Sequence, residues 1–175
     1  MSPPEIWGPP IWTLFHTLAE RIKEEDYNRL IPQLFGLIRR VCMYLPCPEC
    51  SQHATKFMNS VKQSQLATKE EFKNTFYIFH NMVNKRKNKP LFDYGQMKKY
   101  QNVRIIDAFN NFVRVYHTKG NMKMISESFQ RSFVIRDFKH WLSVNIGSFV
   151  WLKPQVPSIE IKKEIEITPS EKKNE

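Results

Sequence analysis

Apolar residues recur at three- and four-residue spacing through most of this chain, and long stretches that alternate apolar with polar side chains are absent. That period commits the backbone to amphipathic helices and argues against a sandwich or barrel. The glycine content, only 5 residues, points the same way, because it is too low for the many tight turns of an all-β fold.

The spacing predicts a first helix over residues 11–25, with Ile11, Trp12, Phe15, Leu18, Ala19 and Ile22 on one face. Pro9 and Pro10 are placed just ahead of it, where proline is tolerated. A second helix is predicted over 28–44, carrying Leu30, Leu34, Leu37, Ile38 and Val41, with Pro32 in its first turn. Pro46 ends it, since the residue before a proline avoids helical angles. A third helix is expected to start at Cys47, with Pro48 at its first position and Glu49 at the positive end of its dipole. The fourth runs from about Lys69 to Lys87 on Phe72, Phe76, Phe79, Met82 and Val83. Residues 91–101 read as a connector. Two more helical stretches follow, one on Ile105, Ile106, Phe109, Phe112, Val113 and Tyr116, the other spanning 122–142, with Gly120 between them. From Lys153 onward there is little to bury. A disordered tail is expected over 153–175; the alternation of apolar and charged residues from Val156 to Ile167 gives one edge strand as the alternative.

The formal net charge of +10 would suit an acidic partner. The lysines, however, are scattered rather than striped, and Asn and Ile are frequent too, so a compositional bias explains the charge and nucleic acid is not the expected partner. The N-terminus, Met-Ser-Pro-Pro-Glu-Ile-Trp, lacks the basic-then-apolar order of a signal peptide, and no apolar run is long enough to span a bilayer. A soluble, intracellular protein is expected.

Three cysteines, at 42, 47 and 50, are too few for a disulfide framework. Cys47-Pro48-Glu49-Cys50 is a CxxC at a predicted helix N-terminus. There, free N–H groups and the positive end of the dipole stabilise a thiolate, which speeds both attack and departure in disulfide exchange. Cys42, Cys47, Cys50 and His53 could instead hold zinc. That gives an alternative reading, a zinc-stabilised basic helical adaptor that binds nucleic acid through its lysines. A thioredoxin-like reading fails for want of a βαβ pattern around the CxxC. Two further clusters, Trp12-Thr13-Leu14-Phe15-His16 and His80-Asn81-Met82-Val83-Asn84 with Lys89-Pro90, combine aromatic walls, hydrogen-bond donors and lysines. An adenine-dinucleotide flavin calls for those groups. With no glycine-rich dinucleotide fingerprint, a helical bundle would have to hold it.

Trp7-Gly8-Pro9 with Trp12 and His16 resembles the opening motif of the Erv/ALR sulfhydryl oxidases. The CxxC with His53 resembles their catalytic helix, and His80-Asn81-x-Val83-Asn84 with Lys89-Pro90-x-Phe92 resembles their flavin-binding helix. Order and spacing agree from residue 7 to about residue 93. The resemblance implies an all-α fold: a four-helix bundle with a short fifth helix over 1–95, holding FAD at its mouth. An additional helical region, 96–152, would follow outside the resemblance. It further implies an FAD-dependent thiol oxidase that makes disulfides in protein substrates and reduces oxygen to hydrogen peroxide. Cys50 would be the flavin-proximal sulfur, in charge-transfer contact with the ring, and Cys47 the sulfur that meets the incoming thiolate. Gly8, Trp12, His16, Tyr44, His53, His80, Asn81, Val83, Asn84, Lys87 and Lys89 would line the cofactor.

The expected partners are a thiol-containing protein substrate or small redox partner protein, molecular oxygen, and a second copy in a homodimer. Relatives carry a further structural disulfide and often a shuttle CxxC in a flexible tail; this sequence has no cysteine outside positions 42–50 for either. A single CxxC, added helical segments and the Lys/Asn/Ile bias together resemble the enzymes of large DNA viruses. That resemblance implies action in the host cytoplasm or virus factory, with the virion as an alternative location.

Overall fold

A computed structural model describes residues 3–117 and 125–152. Six α-helices make up most of it: α1 (Pro4–Arg21), α2 (Glu24–Met43), α3 (Pro48–Ser60), α4 (Lys69–Arg86), α5 (Ile105–Tyr116) and α6 (Ile125–Asn145). Short 3₁₀ segments lie at Gln63–Leu66, Tyr94–Asn102 and Ile146–Ser148. Among the described residues there is no strand, only a single antiparallel bridge between Ile22 and Phe149. The fold is all-α, as the apolar spacing predicts.

Two helix starts differ from the sequence reading. The first helix begins at Pro4, so Pro9 and Pro10 lie inside it. Proline costs a helix the missing N–H and a clash with the preceding turn, yet its fixed φ is itself helical. The helix carries on because its first turns are anchored: Trp7 and Ile11 are both buried in the core. The second helix starts at Glu24, and Glu24, Glu25 and Asp26 put three carboxylates at the positive end of its dipole.

Local capping fixes the ends that matter for the site. Cys47 is the N-cap of α3, its sulfur accepting from the Cys50 N–H at 3.2 Å. Thr68 caps α4 in a reciprocal box with Glu71. At the other end of α4, Asn88 takes a left-handed conformation (φ 53°), and the Lys89 N–H bonds the Asn84 carbonyl at 2.9 Å. Asparagine tolerates that conformation better than most residues, and it folds the chain back over the helix.

One continuous core joins all six helices. Leu14, Phe15, Leu18, Ile38, Val41, Phe72 and Phe76 meet Phe112 and Tyr116 of α5 and Phe138 of α6 without break across residue 95. Tyr116 sends its hydroxyl to the Val41 carbonyl at 3.0 Å. The Trp141 indole N–H of α6 donates to Gln33 of α2 at 3.0 Å, and Arg40 pairs with Asp137 at 2.8 Å. The Arg21 guanidinium gathers the carbonyls of Gln101 and Val103, each at 3.1 Å, and that of Val150. The segment Tyr94–Asn102 is thereby fastened to the end of α1. No helix among the described residues is long and apolar enough to cross a membrane. The expected tail, the alternative edge strand and the turn at Gly120 fall outside the described residues.

Candidate active site

A cavity of about 340 Å³ opens between α1, α3, α4 and the loop that runs into Tyr94–Asn102. Its floor is a pile of aromatic rings. Trp12 lies on His80 with centroids 4.2 Å apart and planes 10° off parallel, and His80 lies on Phe92 at 4.7 Å and 21°. Behind them His16 stacks on Tyr100 at 4.8 Å. Residues at positions 12 and 16 on α1 are one turn apart, so a single helix supplies both rings to the stack.

The two histidines are joined: His16 Nε2 and His80 Nδ1 stand 3.0 Å apart, one donating its N–H to the other. Burial, then the charge of His80 and that of Lys99, pulls the pKa of His16 down from 6.5 to about 3. Burial and Lys99 bring His80 to about 4. Both rings are therefore neutral at neutral pH. His16 is fully buried and its Nδ1 meets no hydrogen-bond partner.

The redox pair forms one side wall. Cys47 and Cys50 are joined in a disulfide with Cα atoms 5.2 Å apart. Cys50 is 7 % exposed and lines the cavity; Cys47 is half-buried and does not. The same disulfide thus has one sulfur toward the cavity and the other accessible from solvent. Cys42 is a buried free thiol that also touches the cavity, and burial pushes its pKa far above the ordinary range. Such a thiol is inert in exchange. Glu49, between the paired cysteines, meets Arg86 Nη1 at 2.9 Å and lies 3.8 Å from His53 Nε2. Among the described residues no group of three or more His, Cys, Asp or Glu side chains converges as a metal ion would need.

Of the residues predicted for this site, Gly8, Trp12, His53, His80, Val83, Asn84, Lys87 and Lys89 line the cavity together with Cys50. His16, Tyr44 and Asn81 stand behind its surface. Asn81 spends both ends of its amide on Phe92, donating to the carbonyl at 3.0 Å and accepting the N–H at 2.7 Å. It thereby holds Phe92 against the histidines. Tyr44 is half-buried against the main core. Sequence reasoning missed Glu5, Arg86, Lys99 and Tyr100, all of which line the cavity. The last two sit in the stretch read as a connector, where a Lys-Tyr pair after a helix end was the only signal. Lys99 lies 5.1 Å over the rings of both Phe92 and Tyr100.

Flat aromatic walls suit a planar ring system, and the cationic rim of Lys87, Lys89 and Lys99 suits an anionic group attached to it. With a reducible disulfide in the wall, the fold and site define a helical disulfide oxidoreductase built around a flat, anionic ligand. The chain belongs to the Erv1 / Alr family, whose model matches residues 9–103, more than half of the sequence and beyond the last motif at Phe92. Among its relatives is protein 347L of Invertebrate iridescent virus 6, named for FAD-linked sulfhydryl oxidase activity. It is 29% identical over 94 residues, which cover 50% of this chain and 85% of the relative. The FAD-linked sulfhydryl oxidase of African swine fever virus (isolate Pig/Kenya/KEN-50/1950) is 28% identical over 92 residues, 53% of this chain and 76% of the viral protein. The FAD-linked sulfhydryl oxidase ERV1 of Arabidopsis thaliana is 30% identical over 88 residues, but those are only 46% of the plant protein. No solved structure matches the chain.

Proposed function

We infer that this protein is an FAD-dependent thiol oxidase that forms disulfide bonds in thiol substrates and uses dioxygen as electron acceptor. The observation that carries this reading is the two-sided disulfide. Cys50 belongs to an aromatic, lysine-rimmed cavity, while its partner Cys47 is reachable from outside. Family membership and the names of the relatives supply the cofactor's identity. The residues present fit it. Trp12, His80 and Phe92 would flank flat rings, Lys87, Lys89 and Lys99 would face the diphosphate, and Cys50 would lie nearest the redox-active ring.

The chain's own part in the cycle follows from the positions of the sulfurs. A substrate thiolate attacks Cys47 Sγ, the Cys47–Cys50 bond breaks, and Cys50 leaves as a thiolate. A second substrate thiolate attacks the substrate sulfur of the mixed disulfide and releases Cys47. The substrate has lost two electrons and two protons, and Cys47 and Cys50 hold the electron pair as a dithiol. Charge that develops on Cys47 is met at once by the Cys50 N–H and by the positive end of α3. When bound, FAD supplies the two-electron acceptor that reoxidises this dithiol and passes the pair to dioxygen as hydrogen peroxide.

The substrate is a protein thiol, or the thiol of a small redox partner protein, which meets Cys47 directly. No second CxxC in these 175 residues could relay electrons to it. A homodimer is the assembly that the family resemblance implies. The purified protein is expected to be yellow, to consume oxygen when given dithiothreitol, and to release peroxide. Cys50→Ser should keep the flavin and lose turnover. A colourless protein that consumes no oxygen would overturn the assignment.

A further inference from the structure

The acidic residue inside the CxxC is at odds with the chemistry of the motif. Glu49 is the second residue of α3, in the turn whose free N–H groups and dipole stabilise a thiolate at the cap. A carboxylate there competes for the same positive potential and disfavours a neighbouring thiolate. Its charge is answered from another helix. Arg86, the last residue of α4, places Nη1 2.9 Å from Glu49 Oε1, and Arg86 itself lines the cavity beside Cys50. Both partners are favourably placed toward their own helices, with the carboxylate at an N-terminus and the guanidinium at a C-terminus.

The other charged or titratable groups that line the cavity are Glu5, Cys42, His53, His80, Lys87, Lys89, Lys99 and Tyr100, with Tyr44 packed against the core nearby. His53 reaches the same Glu49 oxygen only at 3.8 Å, and Lys89 is turned to Glu5 at 3.6 Å. Among the described residues Arg86 is thus the closest cation to the carboxylate that adjoins the redox pair.

We propose that Arg86 is a positioning residue that neutralises Glu49 across the helix interface and so sets how readily Cys47 becomes a thiolate. The proposal rests on the thiol oxidase reading for its meaning. Its test needs neither flavin nor oxygen, so the two can fail separately. An exposed carboxylate one or two residues from a sulfur, left unanswered, changes the thiolate population roughly three- to tenfold.

The experiment uses the whole 175-residue chain, reduced and kept anaerobic. The pH midpoint for alkylation of Cys47 by iodoacetamide is read from fragment-ion masses within the peptide that holds Cys42, Cys47 and Cys50, which assign the label to one sulfur. Arg86→Gln should raise the midpoint, lowering the alkylation rate at neutral pH about three- to tenfold. Glu49→Gln should leave it at or slightly below wild type, and the double variant should match Glu49→Gln, because Arg86 then has no carboxylate to answer. Arg86→Lys, which keeps the charge, should stay near wild type. An Arg86→Gln midpoint equal to wild type overturns the proposal. So does a shift that persists undiminished in the Glu49→Gln background, because Arg86 would then act without Glu49. Matching far-ultraviolet circular dichroism of the four variants shows that α3 and α4 are intact. Should Arg86→Gln fail this check, Arg86→Met takes its place and is read in the same two backgrounds.

Discussion

Acid should strip stability from this fold through the His16–His80 pair, and the amount can be worked out. Both pKa values lie below the ordinary value of 6.5, at about 3 and about 4, because the rings are buried. The unfolded chain therefore binds protons that the folded chain refuses. Stability from this source is complete above pH 6.5 and is lost as pH falls toward about 4 and then about 3. At about pH 4.5, a histidine held neutral in the fold costs roughly 2.5 kcal/mol relative to neutral pH. His16, fully buried, should give about that figure, and His80, partly open to the cavity, about half of it. The assay is urea unfolding at neutral pH and at about pH 4.5, with FAD fixed at one concentration so that ligand linkage does not vary. His16→Phe keeps a ring in the stack and deletes one titration. It should lose roughly 1 kcal/mol at neutral pH with the His80 hydrogen bond, yet fall about 2.5 kcal/mol less than wild type on acidification. Equal acid sensitivity in the two proteins would refute the reasoning, since His16 would then be solvated or charged in the fold.

Other substitutions probe the supports of the cavity. Asn81→Ala removes both bonds to the Phe92 backbone and should cost about 1–3 kcal/mol in urea, with FAD retained roughly tenfold more weakly in fluorescence titration. Lys73→Met leaves Glu20, 3 % exposed at its side chain, without the ammonium 3.1 Å away, and should cost about 3 kcal/mol by thermal or urea melt. Replacing Glu20 by Gln as well should recover part of that loss. Asn88→Val forces a β-branched residue into a left-handed conformation and should destabilise by about 1–2 kcal/mol, whereas Asn88→Gly should be neutral or better.

The helices were legible because burial imposes a period on the sequence, and Phe72, Phe76 and Phe79 or Ile105, Phe109 and Phe112 declare their faces without any knowledge of what they meet. The cysteine chemistry was legible too, since cap, proline and thiols are all local. What a helical period does not show is which neighbour a face meets. Residues His80, Asn81 and Asn84 look alike as polar groups on α4, but His80 and Asn84 reach the cavity while Asn81 turns to the loop behind it. Tyr100 and Lys99 were hidden because a 3₁₀ segment has little period of its own. Theirs is held in place by Arg21, some eighty positions earlier in the chain. Pro9 and Pro10 misled for the opposite reason: a local rule about helix starts gave way to the burial of Trp7 and Ile11.

Tyr116 belongs to the stretch beyond the family match, yet its hydroxyl ends on the carbonyl of Val41, next to Cys42 and one turn from where α2 gives way to the redox loop. The last turn of that helix is consequently capped by a phenol contributed from far along the chain. Together with Trp141 on Gln33 and Arg40 on Asp137, it moors the helices beyond the match to the one that leads into the cysteines.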